Sequence, residues 1–407
     1  MAPPTDADRD AAAEPLRNEL VNFLVEQHYL ESPRVEEALR AVPRHRFVPE
    51  VDLQRAHANV AILTSTDDDG FALSSVSQPA IVALQLEQAI PASGARILEI
   101  GAGRCYNAAL LAHLVGAHGR VVTIDIDPEL VAAGKETLSQ LGYNNVHVKC
   151  ADGAEGAPEE APFALIAVTT GAADLPPAWA EQLDVGGRIV VPLSIRGLSR
   201  SIAFRQEDDH LVSESVEPCG FISMRGSSSA EDDIVEIAKG ATLHVGEAQP
   251  VNQRALRASI GSGCSILWSG VTIGYEEGVL PDLEMWIATA CQRYGRIEVN
   301  PTIASRRTFG WVTYHGASVT WSSDSLAYVV LRETDDGSHV ELGVYAFGPE
   351  RDELADQLVG HFQSWDQDVR GFQLPRVYAY APGAPTHSLA PGRVVDKPLS
   401  RLVIAFD

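Results

Sequence analysis

Cysteine pairs, long apolar runs and positive charge are all scarce in this chain, and each shortage excludes a class of protein. The five cysteines, Cys105, Cys150, Cys219, Cys264 and Cys291, are odd in number, scattered, and contain no C-x-x-C pair. That argues against a disulfide frame or a zinc site and suits reduced thiols in a cytosolic protein; no metal is expected. No apolar run approaches the roughly 18 residues needed to span a bilayer. The start, Met1-Ala2-Pro3-Pro4-Thr5-Asp6, has no signal-peptide character. Lys and Arg number 31 against 55 Asp and Glu, giving a formal net charge of −24. Such a surface repels phosphate backbones and anionic lipid, so neither nucleic acid nor membrane is an expected partner. The sequence offers no catalytic triad.

What is present is enough apolar material for two ordinary domains: 407 residues, 45% of them hydrophobic. The polar, Ala-rich opening over 1–14 reads as a disordered tail. Helical periodicity starts near Pro15, with Leu20, Val21 and Leu24, and again after Ser32, with Val35, Ala38 and Leu39. A Pro-bounded loop follows, Val42-Pro43-Arg44-His45-Arg46-Phe47-Val48-Pro49. The stretch 64–70 reads as an exposed turn, and Ser74-Ser75-Val76-Ser77-Gln78-Pro79 leads into a helix. From residue 96, strands at 96–100, 121–126, 146–150, 164–169 and 188–193 alternate with helices. This pattern predicts a parallel, doubly wound α/β sheet. Past Gly226-Ser227-Ser228-Ser229 the character changes. Strand-like runs at 241–245, 308–314, 326–333, 340–347, 376–380 and 402–406, with helices at 280–294 and 349–365, predict a second α+β domain over 230–407.

The chemistry concentrates where the first strand ends: Glu99-Ile100-Gly101-Ala102-Gly103-Arg104-Cys105-Tyr106. Two glycines between a strand and a helix let the backbone come close to a nucleotide-like ligand beside a helix N-terminus. A dinucleotide fingerprint wants a third glycine where Tyr106 stands. Asp125 closes the second strand, where a carboxylate can accept ribose hydroxyls, and Asp152-Gly153 closes the third. Taken singly these have plain structural readings: Asp127 suits a helix N-cap, Asp152-Gly153 a turn, and Ser77 the cap of the helix containing Pro79. Together they set acidic groups around one crevice at the strand ends.

Glu99-Ile100-Gly101-Ala102-Gly103 with Asp125 and Asp152-Gly153 resembles the cofactor site of S-adenosylmethionine-dependent methyltransferases. The ordered motifs Val42 to Pro49, Ser75-Val76-Ser77-Gln78-Pro79 and Leu98 to Gly103 resemble, more narrowly, the protein-L-isoaspartate (D-aspartate) O-methyltransferases. The likeness covers roughly residues 15 to 225. It implies a Rossmann-like methyltransferase domain over 15–229 with N-terminal helices, and S-adenosyl-L-methionine as cofactor. It places Glu99, Gly101, Gly103, Asp125, Asp152 and Gly153 around that cofactor. It places Ser75, Val76 and Ser77 at the substrate, with Ser77 at the reacting carboxylate. It implies a peptide or protein substrate bearing Asp or isoAsp. A carboxylate with a pKa near 4 is already ionised at neutral pH, so this reaction needs no strong general base. His45 is assigned no catalytic role. Two departures stand out: Cys105 occupies the third position of a Gly-x-Gly-x-Gly turn, and Ala164 replaces a polar residue on the fourth strand. The added 230–407 segment resembles the longer relatives of ribosomal-peptide pathways, in which a normal aspartate of a constrained peptide is esterified and closes to an aspartimide. That segment is expected to serve substrate recognition or assembly.

Overall fold

The computed structural model describes residues 5–406 apart from 230–232, 248, 278–280, 301–315 and 372–374. The strand expected at 308–314 lies outside the described residues.

The first helix, α1 (Asp6–Glu26), overturns the expectation of a disordered tail over 1–14 for every described residue from Asp6 on. A capping box starts it: the Asp8 amide donates to Thr5 Oγ1 at 3.2 Å, and the Thr5 amide donates to Asp8 Oδ2 at 3.0 Å. Tertiary partners then hold it against the 42–49 loop. Asp10 hydrogen-bonds His45 Nε2 at 2.8 Å, Asp6 pairs with Arg46 at 2.8 Å, and Arg9 donates to the Pro49 carbonyl at 3.3 Å. Composition suggests a loose tail because these partners lie 35 to 40 residues away. After α2 (Pro33–Ala41) and the short α3 (Leu53–Ala56) comes a hairpin of β1 (Ile62–Thr66) and β2 (Ala72–Val76). Only 67–70 is a turn; the rest of the expected turn is strand.

After α4 (Pro79–Ala89) the expected alternation appears: β3 (Arg96–Ile100), α5 (Tyr106–Val115), β4 (Arg120–Asp125), α6 (Pro128–Gln140), β5 (Val146–Cys150), β6 (Phe163–Val168), α7 (Pro177–Glu181) and β7 (Leu183–Ile195). The strands run in parallel in the order β7-β6-β3-β4-β5. The chain moves outward from β3 through β4 to β5, then returns to the other flank of β3. That reversal opens a crevice beyond the carboxyl ends of β3 and β6, where ligands bind in such sheets. The class is α/β, doubly wound, as expected.

Two long antiparallel strands, β8 (Leu198–Gln206) and β9 (Leu211–Pro218), continue the same sheet. Their alternation of apolar and polar residues is imperfect, so periodicity does not mark them as strands. Beyond residue 232 lie β10 (Asp233–Ala238), β11 (Ala241–Val245), α8 (Gln253–Ile260), β12 (Cys264–Gly274), α9 (Pro281–Ala290), β13 (Gly295–Val299), β14 (Ala317–Trp321), β15 (Leu326–Glu333), β16 (His339–Phe347) and α10 (Arg351–Asp368). Strands β10 to β16 form a seven-stranded antiparallel sheet.

The chain does not divide cleanly at 229/230. Of the last strands, β17 (Arg376–Tyr380) pairs onto β9, β19 (Arg401–Ala405) onto β17 and β18 (Arg393–Asp396) onto β19, which brings the first sheet to ten strands. One apolar cluster also runs without a break from Leu98 and Val122 through Ile202 to Leu283, Met285, Phe362 and Trp365. Sequence composition shows where the character of the chain changes, but not that its end returns to the first sheet. No helix among the described residues is long and apolar enough to cross a membrane.

Candidate active site

A cavity of about 450 Å³ opens at the carboxyl ends of β3, β4 and β6. Its floor is the turn after β3. Gly101 has φ +96°, and a Cβ there would sit 3.0 Å from Thr169 Oγ1, so a side chain would meet both a strained backbone and a close neighbour. The amides of Gly101 and Ala102 both donate to the Ile124 carbonyl at 2.9 Å, which fastens the turn to β4. Asp125 completes the attachment. Its Oδ2 accepts from the Gly103 amide at 2.7 Å and its Oδ1 from the Asp127 amide at 3.0 Å. Each oxygen keeps a lone-pair direction for a further donor.

Cys105 resolves the first departure from the family pattern. It has φ +66°, a left-handed backbone that a non-glycine residue adopts at a cost of about 1 kcal/mol. Its side chain points away from the cavity into the core, fully buried. There Sγ lies over Gly134 of α6, where a Cβ would come within 2.3 Å of it. The turn accepts a side chain because the facing helix has none at that point. Burial drives the Cys105 thiol far above its usual range, so it is not a nucleophile at neutral pH.

Of the residues singled out from sequence, Gly101, Gly103, Asp125, Gly153, Ser75 and Ser77 share the wall of this one cavity. Three do not. Glu99 is fully buried beneath the turn; its carboxylate accepts from Asn107 Nδ2 at 2.8 Å and from the Thr123 hydroxyl. Burial raises its pKa to about 7. Val76 points into the core. Asp152 sits behind the wall, where its Oδ1 accepts from the Ala154 amide at 3.0 Å and its Oδ2 from the Ser227 amide at 2.8 Å. Burial works to raise the Asp152 pKa, but those amides outweigh it and hold the carboxyl below its usual range. Asp152 therefore anchors the 226–227 segment over the crevice. Asp127 is the N-cap of α6 as expected. Gln78, not Ser77, occupies the N-cap position of α4, so Ser77 is free of that duty.

Several wall residues escaped the sequence reading. Thr169 and Thr170 follow β6, and Ile222 to Arg225 reach the cavity from the far side of β9. The Gly171 amide donates to the Ile222 carbonyl at 2.8 Å and the Met224 amide to the Gly171 carbonyl at 2.7 Å, which locks the two segments together. The β6 end, Val168-Thr169-Thr170-Gly171, carried a usable signal: a strand closing in hydroxyls at the reactive edge of the sheet. Arg44 carried none. Its guanidinium is buried, with Nη2 donating to the carbonyls of Ser77 at 2.9 Å and Val76 at 3.3 Å, and it lies over the Tyr106 ring. It ties the 42–49 loop to the Ser75-Val76-Ser77 segment.

Chemically, the site offers a carboxylate for hydroxyl donors, a close-approach glycine turn, and hydroxyls of Ser75 and Ser77 at an apolar-walled opening. No Lys, His or Cys is among its wall residues. That suits transfer to a nucleophile that is already ionised, for which alignment and exclusion of water suffice.

Known proteins resemble this chain in sequence and fold. The sequence profile of the protein-L-isoaspartate(D-aspartate) O-methyltransferase family matches residues 15–229. A protein-L-isoaspartate O-methyltransferase of Methanopyrus kandleri is 35% identical over 228 residues, 56% of this chain and 98% of that protein. A protein-L-isoaspartate O-methyltransferase 2 of Anaeromyxobacter is 40% identical over 199 residues, 47% of this chain and 76% of that protein. A solved protein-L-isoaspartate O-methyltransferase structure superposes with a TM-score of 0.51 at 22% identity, covering 89% of this chain and 96% of its own; at that identity it speaks for the fold. With its profile match spanning more than half of its length and its glycine turn, Asp125 and Ser77 gathered on one cavity, the chain belongs to the protein-L-isoaspartate(D-aspartate) O-methyltransferase family.

Proposed function

We infer that the chain methylates an aspartyl-derived carboxylate of a peptide, and that its preferred target is a normal aspartate in a constrained, ribosomally made peptide. The cofactor is S-adenosyl-L-methionine, which when bound supplies an electrophilic methyl group on a sulfonium. The residues present fit it. Asp125 has acceptor capacity left for ribose hydroxyls, Gly101 and Gly103 leave room for close approach, and Gly153 is flush with the wall, since a Cβ there would strike Ile100 at 2.5 Å. Glu99 supports the turn from below, and Asp152 holds the 226–227 segment. Ser77, with Ser75 beside it, hydrogen-bonds the substrate carboxylate and aims one of its oxygens at the methyl group. Val76 anchors these two serines through its buried side chain. The C–O bond forms as the methyl–sulfur bond breaks, so no proton moves in this step. In the ester product, the amide nitrogen of the next residue can attack the carbonyl; methanol leaves and an aspartimide remains.

The observation that carries the constrained-peptide reading is the way the extension reaches the site. Asp174, four residues past Thr170, is buried and accepts from the Leu399 amide at 2.6 Å and from Ser400 Oγ at 2.5 Å. The turn between β18 and β19 thereby holds Asp174, four residues from the wall residue Thr170, whereas the match to the Methanopyrus relative takes in 98% of that protein but 56% of this chain. Repair methylation of L-isoaspartyl or D-aspartyl residues in damaged proteins is the second reading. It is favoured by the relatives at 35% and 40% identity, which are named protein-L-isoaspartate O-methyltransferases.

One assay separates them. The full chain is incubated with S-adenosyl-L-methionine and, in turn, a cyclised aspartate peptide, its linear form and an isoaspartyl peptide, and products are read by mass. The proposal expects esterification and then water-loss product from the cyclised peptide alone. Turnover of the isoaspartyl peptide alone establishes repair.

A further inference from the structure

The hairpin that delivers Ser75 and Ser77 has a second property. Leu73, Ser74, Ser75 and Ser77 all line the cavity, while Val76 is buried in the core. Phe71, next to the start of β2 at the hairpin tip, is 70% exposed. Across the hairpin, Leu63 pairs with Ser75, lines the cavity and is 56% exposed. An apolar strip therefore leaves the cavity along β2, from the carboxylate end at Ser77 outward over Leu63 and Leu73 to Phe71.

Beyond Phe71 the strip ends in Asp67-Asp68-Asp69. Asp67 has a structural task, since its Oδ1 accepts from the amides of Asp69 at 3.0 Å and Phe71 at 2.7 Å. Asp68 and Asp69 are exposed, and no ion pair engages them among the described residues. Exposed apolar side chains continuous with a reaction cavity, followed by uncompensated carboxylates, are what a segment of opposite character would cover.

We propose that this strip is the docking face for the peptide substrate, and that it selects an apolar side chain set back from the reacting carboxylate and a cationic one beyond it. The inference rests on the carboxyl-methyltransferase reading and adds the substrate's flanking chemistry. At about 3.3 Å per extended residue, Leu73 lies about four residues from Ser77 and Phe71 about six. The apolar residue of an extended substrate thus falls about four to six positions from the target, and the Lys or Arg just past it.

The test uses the full chain loaded with S-adenosylhomocysteine, so that peptide binding is read by calorimetry without turnover. The probes are synthetic peptides with one central aspartyl or isoaspartyl residue. On either side they carry Phe or Ser about four positions away, and Lys or Glu about two positions further. The Phe/Lys peptide is expected to bind about tenfold tighter than the Ser/Glu peptide, the equivalent of one large apolar contact. Phe71→Ser should reduce the Phe preference, and Asp68→Asn, Asp69→Asn the Lys preference, with S-adenosylhomocysteine affinity unchanged in both. Equal binding across the series, or preferences that survive these substitutions, overturns the proposal. Turnover of the same peptides is scored separately. Selective binding with no methylation would leave the docking face standing and remove the carboxyl-transfer reading; methylation without selectivity would do the reverse.

Discussion

The parallel half of the ten-stranded sheet and the antiparallel extension use polar residues in opposite ways. In the parallel half, strands β3, β4 and β6 all end at one edge, so Gly101, Asp125 and Thr169 meet there with acceptor or donor capacity to spare. In the extension, polar side chains are consumed by one another. Arg200 of β8 reaches Glu284 at 2.9 Å, Arg393 lies 3.6 Å from the Trp286 ring centroid, and Tyr294 hydrogen-bonds Ser318 at 3.0 Å. Lys397, nearly buried, donates to the Ser194 carbonyl at 3.0 Å and pairs with Glu247. Parallel topology puts strand ends together and leaves their groups for a ligand; antiparallel pairing returns the chain at both ends and spends them on structure. The extension meets the site through Asp174.

The comparison breaks most readily at Asp125. Asp125→Ala removes the anchor of the Gly103 amide and the charged acceptor for the ribose together. With charge-assisted hydrogen bonds worth about 1.5–3 kcal/mol each, S-adenosylhomocysteine affinity should fall by about a hundredfold or more in calorimetry. Unchanged affinity would sink the cofactor assignment.

Asp174→Ala tests the other side. It leaves the amide of Leu399 and the hydroxyl of Ser400 without their acceptor, a loss of about 3 kcal/mol in denaturant unfolding. Peptide turnover should fall more than S-adenosylhomocysteine affinity; if only stability changes, the extension is a passive brace.

The pH dependence of stability sharpens the contrast, because buried Glu99 and His57 in the catalytic half titrate in the acid-to-neutral range. Burial raises Glu99 from 4.5 to about 7, so its contribution is present below pH 4.5 and is lost as pH rises through 7. Burial lowers His57 from 6.5 to about 4, so its contribution is present above pH 6.5 and is lost as pH falls through 4. Each is worth about 3 kcal/mol, and between pH 4.5 and 6.5 they oppose each other. The native chain should show a shallow profile there, whereas Glu99→Gln should gain stability with rising pH, measured by urea unfolding across that window. A profile identical to the native one would refute the raised pKa of buried Glu99.

The smallest effect belongs to Ser77→Ala, which removes one hydroxyl and about 1 kcal/mol. kcat/KM for peptide should fall about fivefold with cofactor affinity intact. Loss of the cofactor instead would make Ser77 structural.

The lesson of Cys105 is specific. In sequence it marks a broken glycine pattern; in three dimensions it is compensated by Gly134, a residue of no evident interest 29 positions away. Likewise Glu99 and Asp152 belong to the site's motifs, yet lie behind its wall and act on the backbone that forms it.

The sequence by itself determined the doubly wound half: the alternation of apolar strands and helices, the glycine turn and the carboxylates at strand ends are local patterns, set by steric and periodic rules within a few residues. It also determined which residues could be reactive. Only the tertiary structure decided which of them share a cavity. It also decided that Asp6 and Asp10 hold the expected tail as a helix against the 42–49 loop, that Arg44 holds the serine segment, and that the last strands return to the first sheet beside Asp174. Those are contacts between residues tens to hundreds of positions apart, and burial and hydrogen-bond pairing across such distances leave no period or spacing in the chain to read.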